Sequence, residues 1–252
     1  MHYLVGDIGN TLIKVSLLNE KFKIIYSNSI KTDSIKNKNN LSKFFKKILK
    51  KNIHKKILFS SVDPKNFKIL NNFLIKKKFK IFELKKFNIK KLIKINVKNI
   101  NQVGSDRIAN AIGSFYTYKG NSIVIDFGTA TTFDIVRSPG VYDGGVIAPG
   151  VESSINNLKN QTALLPLIKL KNRINNYGKD TTQAMNAGFL WGYQGLIDNI
   201  IKQISSKSKK KYRIVLTGGY SEIFKKFIHQ KTIINKNITI EGIIQIYKLF
   251  LK

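Results

Sequence analysis

Tyr3-Leu4-Val5-Gly6-Asp7-Ile8-Gly9-Asn10-Thr11 decides the fold, because its ending returns far down the chain as Asp126-Phe127-Gly128-Thr129-Ala130. In both places an apolar run, Tyr3 to Asp7 or Ser122 to Asp126, leads into Asp-Φ-Gly, with Φ apolar. Two further β-rich runs follow each copy. They are 12–18 and Phe22 to Tyr26 in the first half, Thr131 to Val136 and Val141 to Ile147 in the second. Helices and strands then alternate. Leu41, Phe44, Phe45, Ile48 and Leu49 have helical spacing, Ile57 to Phe59 reads as a strand, and a helix opens at Pro64. Ile81 to Leu84 is another strand, and a helix from about Ser105 buries Ile108, Ala111, Ile112 and Phe115. The Lys- and Asn-rich stretch 85–103 has no clear period. The second half continues with a long helix from about Thr181 to Ile204, a strand from Arg213 to Leu216 and a helix after Ser221. Its final helix places Ile243, Ile244, Tyr247, Phe250 and Leu251 on one face. Duplication fixes architecture. The expectation is an α/β protein of two similar domains, 1–118 and 119–252, each a five-stranded mixed sheet with helices. A cleft is expected where the two turns face each other.

Length and composition agree with this. The 252 residues are 42% hydrophobic, enough for real cores, and no apolar run approaches the ~20 residues of a membrane span. The chain as given runs straight into Tyr3-Leu4-Val5 without the pattern of a secretory signal, so a soluble cytoplasmic protein is expected. With no Cys there are no disulfides, thiolate metal sites or Cys nucleophiles. The net charge of +31 invites a nucleic-acid reading. Its distribution argues otherwise: residues 1–100 carry +20, 101–200 carry +1 and 201–252 carry +10. Lys outnumbers Arg 41 to 4, whereas specific recognition of bases and phosphates favours Arg's bidentate fork. The excess reads as a lysine-rich solvated surface, with nucleic acid and membrane disfavoured as partners.

Each Asp-Φ-Gly turn offers a carboxylate, a glycine and a hydroxyl or amide within five residues. Glycine lets the backbone approach a phosphate, N–H groups and Thr hydroxyls donate to its oxygens, and the Asp can hold a hydrated cation. Lys14 is three residues past Thr11, within reach of such phosphates. A single copy is better explained by an ordinary hairpin turn; two copies, each opening a similar unit, favour nucleotide binding. Leu216-Thr217-Gly218-Gly219 closes a late strand with a glycine pair that permits close approach of adenosine, and is weak alone. Gly104-Ser105-Asp106-Arg107 opens the helix of the first half. Capping by Ser105 and a favourable dipole at Asp106 explain it as well as catalysis does. In the catalytic reading Asp106 takes the proton of a substrate hydroxyl and Arg107 meets an anionic substrate group. His2, His54 and His229 lie outside every motif, and surface or packing roles suit them. Trp191 and Tyr193 suit core or dimer interface.

Together these motifs resemble the type III pantothenate kinases of the acetate kinase/sugar kinase/heat-shock-70/actin superfamily. The resemblance rests on Asp7 to Thr11, Gly104 to Arg107, Asp126 to Asp134, Gly144 to Gly150, Gly178 to Thr181 and Thr217 to Gly219, in family order and spacing. It implies duplicated actin-like domains and ATP-dependent phosphorylation of the primary hydroxyl of pantothenate, the first step toward coenzyme A. It implies Asp106 as the general base, with Gly104, Ser105 and Arg107 around pantothenate. Asp7, Ile8, Gly9, Asn10, Thr11 and Lys14 match the phosphate loop, with Asp7 near Mg²⁺, and Thr129 matches a second ATP contact. Asp126 matches the ligand of a monovalent cation, K⁺ or NH₄⁺. Thr181 matches a residue that reaches pantothenate in the partner subunit, so a homodimer is implied. One position departs: where the family carries a Tyr seven residues before Gly104, this chain has Val97, which has no hydroxyl to offer. Two alternatives stand beside this reading. One is a kinase of another small alcohol or sugar, and the other a nucleic-acid-binding regulator that keeps the fold.

Overall fold

Asp63, Asn37 and Asp180 each stand just before a helix and accept hydrogen bonds from its first backbone amides, so three helix starts are written locally in the sequence. In the computed structural model, which describes residues 1–172 and 176–252, the elements follow in chain order. The first half runs β1 (His2–Ile8), β2 (Leu12–Leu18), β3 (Ile24–Lys31), α1 (Lys38–Lys46), β4 (Ile53–Ser61), α2 (Pro64–Ile75), β5 (Lys80–Glu83), β6 (Lys94–Ile95) and α3 (Ser105–Tyr118). Then come β7 (Ser122–Phe127), β8 (Ala130–Arg137), β9 (Val141–Pro149), α4 (Val151–Asn160) and α5 (Thr181–Ser208). The chain continues with β10 (Arg213–Gly218), α6 (Ser221–Phe224), β11 (Thr232–Ile234) and α7 (Ile238–Phe250).

The strand orders show the duplication. One sheet runs β3-β2-β1-β4-β5, the other β11-β10-β7-β8-β9-β6. In each, the strand that ends in Asp-Φ lies at the centre, between an antiparallel neighbour that follows it by a tight turn and a parallel neighbour that arrives later. The second sheet has six strands, not five. Lys94 and Ile95 of β6 pair with Val141 and Tyr142 at the start of β9, drawing an edge strand from the stretch that has no period in sequence.

The chain divides into two units, Met1–Lys119 with Gly140–Tyr142 and Asn237–Lys252, and Gly120–Pro139 with Asp143–Lys236. The boundary read from sequence at 118/119 falls beside the first crossing, but Asn237–Lys252 return to the first unit. The reason is α7. Its Ile240, Ile243, Ile244 and Tyr247 are all buried at i, i+3, i+4, i+7 spacing, and the helix packs along α3. That approach is close enough to require glycine on both sides. A Cβ on Gly242 would strike the Ala109 carbonyl, and one on Gly113 the Ile238 carbonyl. Thr239 Oγ1 donates to Asn110 Oδ1 at 2.7 Å and Thr117 Oγ1 to Glu241 Oε2 at 3.0 Å, fixing the rotation of one helix on the other. The first unit buries Leu4, Ile13, Val15, Phe45, Phe59 and Leu70 in one core, and the second buries Ile123, Phe133, Leu190, Ile197, Leu216 and Phe224 in another.

Candidate functional site

In the first unit, β1 and β2 meet at the turn that carries Asp7 to Thr11. Gly9 N donates to Leu12 O at 3.0 Å, closing the turn and leaving Asn10 and Thr11 exposed. Thr32 braces it from outside, its hydroxyl donating to Gly9 O at 3.0 Å and its amide to Thr11 O at 2.9 Å. Asp7 lies in register with Lys14 on β2 and with Ser60 on β4. Burial lowers the pKa of Lys14, while the charges of Asp7 and Glu241 oppose the shift. Its Nζ donates to Asn237 Oδ1 at 2.8 Å, just before α7. Ser60 is fully buried, and its hydroxyl meets no hydrogen-bond partner among the described residues.

The Gly104–Arg107 turn belongs to the same unit, and Val62 joins it to the Asp7–Thr11 turn. Val62 N donates to Ile8 O at 3.1 Å, and Val62 Cγ1 lies 3.5 Å from where a Cβ on Gly104 would stand. Gly104 caps α3 without a side-chain bond, and Ser105, the first helical residue, does not cap it as the sequence suggests. Its hydroxyl instead donates to Glu83 Oε1 at 2.7 Å. Asp106 accepts from Arg107 N at 2.8 Å. Burial of its carboxyl raises the Asp106 pKa above the ordinary carboxylate value, although the Arg107 amide and the Arg107 and Lys85 charges pull it down. A buried, partly compensated carboxylate is suited to accepting a proton.

In the second unit, Asp126 occupies the place of Asp7. Its register partners are Thr132 on β8 and Thr217 on β10, so Thr217 stands where Ser60 stands in the first unit. The remaining partner differs: Lys14 supplies an ammonium beside Asp7, and Thr132 supplies a hydroxyl beside Asp126. Thr129 is exposed on the turn, and its carbonyl accepts from Ser153 Oγ at 2.8 Å on the first turn of α4. Thr129, Ala130, Gly150, Ser153, Asn157 and Phe189 line a cavity of about 600 Å³. Gly218, at φ +83°, brings β10 against the Phe127 backbone, and Gly219 N donates to Phe127 O at 3.1 Å. The Thr217–Gly219 motif and the second loop are therefore neighbours. Thr181 lies exposed in the first turn of α5, behind the Asp180 cap.

Val97 follows β6 in a partly exposed position. His54 Nδ1 lies 2.7 Å from Tyr247 Oη within an aromatic cluster, and His229 Nδ1 lies 2.5 Å from Asp198 Oδ2 on the surface of the second unit, in keeping with packing and surface roles. Trp191 is exposed, whereas Tyr193 is buried and pairs with Ser154 at 2.7 Å. Sequence reading misses Thr32, Val62 and Glu83, since their partners lie far along the chain. Only Glu83 leaves a trace, as the one acid between Asp63 and Asp106 in a lysine-rich stretch.

The sequence pattern of the family described as type III pantothenate kinase matches residues 3–203. A type III pantothenate kinase of Pelagibacter ubique is 47% identical over 244 residues, covering 96% of this chain and 97% of that protein. One from Caulobacter vibrioides is 37% identical over 150 residues, 59% of this chain and 58% of that protein. Among solved structures, the activator of the 2-hydroxyisocaproyl-CoA dehydratase from Clostridium difficile, with bound ADPNP, has a TM-score of 0.56 at 13% identity, covering 99% of this chain and 97% of that one. The ethanolamine utilization protein EutJ of Carboxydothermus hydrogenoformans has a TM-score of 0.60 at 11% identity, covering 96% and 89%. These likenesses establish the duplicated actin-like α/β fold.

Proposed function

We propose a mechanism on the premise that this chain belongs to the type III pantothenate kinase family, and so phosphorylates pantothenate in coenzyme A biosynthesis. ATP is the donor and the primary hydroxyl of pantothenate the acceptor, giving 4'-phosphopantothenate and ADP. The observation that carries the mechanism is the placement of Asp106, on the first turn of α3 and joined through Val62 to the phosphate loop. The loop amides around Gly9, with Asn10, Thr11 and Lys14, receive the phosphates, and Thr129 is assigned a second ATP contact. Arg107 receives the carboxylate of pantothenate, with Gly104 and Ser105 forming that pocket. Asp106 orients the hydroxyl and takes its proton as the oxygen bonds to the γ-phosphorus and the bond to the bridging oxygen of ADP breaks. Phosphoryl transfer needs mainly positioning and charge neutralisation, so one well-placed carboxylate is sufficient.

The residues present fit the expected cations. No group of three or more His, Cys, Asp or Glu side chains able to hold a metal occurs among the described residues. Asp7 alone suits Mg²⁺, which is commonly held by one or two carboxylates together with water and nucleotide phosphates. Bound there, Mg²⁺ would neutralise phosphate charge. Asp126 suits a monovalent cation, K⁺ or NH₄⁺, because the position that holds the Lys14 ammonium beside Asp7 holds Thr132 here. Gly150 also lies against the Gly128 and Thr129 carbonyls, oxygens of the kind K⁺ prefers. K⁺ should raise the Tm of the parent protein and leave that of Asp126→Ala unmoved; an equal rise in both would remove Asp126 from the cation site.

A second copy of the chain is the expected partner. Leu164 and Leu167 beyond α4, and Trp191 on α5, are exposed apolar groups in the unit that carries Thr181, the residue assigned to the partner's pantothenate. Light scattering should report a dimer. No helix among the described residues is long and apolar enough to cross a membrane, which is compatible with the cytoplasmic location we assign. The decisive experiment is coupled ADP release with pantothenate, ATP, Mg²⁺ and K⁺, beside a panel of sugars. Asp106→Asn should lower kcat by about 10²–10⁴-fold with ATP affinity retained. Near-normal turnover in that variant would remove Asp106 from the base role.

A further inference from the structure

Glu83 belongs to none of the motifs, yet both its carboxylate oxygens are engaged by residues that set Asp106. Oε1 accepts from Ser105 Oγ at 2.7 Å, and Oε2 accepts from Lys85 N at 2.7 Å. Ser105 immediately precedes Asp106 and is buried, 1% exposed. Because the Gly104 N-cap brings no side-chain bond, Ser105–Glu83 is a side-chain link that ties the first turn of α3 to the sheet. Lys85 lies within the short helical turn, Leu84–Lys86, that Glu83 caps, and its Nζ donates to Asn101 O at 3.2 Å. Its ammonium is one of the two cations acting on Asp106, the other being Arg107.

Capping that short turn needs only one oxygen, and the other reaches 22 residues ahead in sequence to the helix of the base. β5 itself is in register with β4, Phe59 opposite Glu83, and Phe59 in turn opposite Gly6 of β1. Glu83 therefore stands at the end of a row that runs across the sheet beside the phosphate loop. The link transmits the sheet's position to the first turn of α3. We propose that Glu83 is a positioning residue for the acceptor half of the site, holding Asp106 at its distance from the phosphate loop through Ser105 and keeping Lys85 beside it. The inference rests on the assignment of Asp106 as the base. Misplacing a reacting group by about 1 Å costs on the order of 10²-fold in rate, so a link of this kind acts on turnover far more than on folding.

The test compares parent, Glu83→Ala, Glu83→Gln, Ser105→Ala and the Glu83→Ala/Ser105→Ala double variant, with Asp106→Asn in parallel. Glu83→Ala should lower kcat/KM for pantothenate by roughly 10–100-fold, with the ATP Kd from calorimetry within about twofold of parent because Glu83 does not touch the phosphate loop. Glu83→Gln keeps one acceptor oxygen and should recover part of the loss. Ser105→Ala removes only the hydroxyl, in a helix that favours Ala, and should lose about 2–10-fold. The double variant should be no worse than Glu83→Ala, since both single changes break one link. Parent-like kcat/KM in Glu83→Ala and Ser105→Ala, with Asp106→Asn inactive, would overturn the positioning role and leave the base in place. Parallel loss of ATP affinity in Glu83→Ala would also overturn it, as general damage to the unit. If Glu83→Ala does not fold, Ser105→Ala and Glu83→Gln decide the matter. An active Asp106→Asn would instead remove the base assignment on which the proposal stands.

Discussion

As the proposed base, Asp106 is asked to do opposing things by folding and by catalysis. With its pKa raised by burial, the folded chain holds the Asp106 proton more tightly than the unfolded chain does. The stabilisation from this group is complete below the unfolded pKa and is lost as pH rises through the raised folded value. Once ionised, the carboxylate is therefore a cost to the fold, and Asp106→Asn should raise Tm by about 2–4 °C for each kcal/mol relieved while lowering turnover. A fall in Tm at neutral pH would show that the carboxylate is stabilising. The base must be ionised to act, so kcat/KM for pantothenate should decline on the acid side with a midpoint above the ordinary carboxylate value. Lys85→Met removes one of the cations that hold that pKa down and should move the midpoint to higher pH; a shift to lower pH would exclude the coupling. The acids proposed to meet substrate and cations were legible because each sits in a short local motif. Glu83, Thr32 and Val62 were not, since what they do depends on which strands the topology sets side by side.

At the scale of elements, most strands and helices follow from apolar spacing, caps and the paired turns. The exceptions have a common cause. α4 (Val151–Asn160) buries little beyond Val151 and Ile155 and shows no sustained apolar period, and β6 gains its identity only from two residues of β9. Ser105 reads as a cap because Ser commonly caps, yet the chain enters α3 one residue earlier and leaves that hydroxyl to Glu83. The contact between α3 and α7 was equally hidden: each helix advertises an apolar face, and nothing local says that the two faces meet. Gly242→Ala tests it. The added methyl has no room against Ala109, so it should cost about 1–3 kcal/mol, read as a lower urea midpoint. Because α3 carries Asp106 on its first turn, activity should fall in the same variant. An unchanged midpoint would mean that the helices separate without penalty.

For the molecule as a whole, the duplication, the α/β class and the family were legible in sequence; the expected division into 1–118 and 119–252 did not include the return of Asn237–Lys252, because those residues declare their home only through α3. The +31 charge now has a narrower meaning. It lies mainly in segments without assigned chemistry, and its expected effect is long-range attraction of two anions, ATP and pantothenate. Raising ionic strength from about 20 to 200 mM shortens the screening length severalfold, so kcat/KM should drop while kcat holds. An unchanged kcat/KM would leave the charge without a role in capture. The return of α7 also bears on synthesis at the ribosome. The chain makes α3 and then the whole of Gly120–Pro139 and Asp143–Lys236 before α7 emerges, so the second unit has all its residues while α3 still lacks its cover. A nascent chain stopped before Asn237 would carry both loops and Asp106 yet leave Ala109 and Gly113 without the helix that packs against them. The cover of α3 is thus completed only after every residue of the second unit has been made.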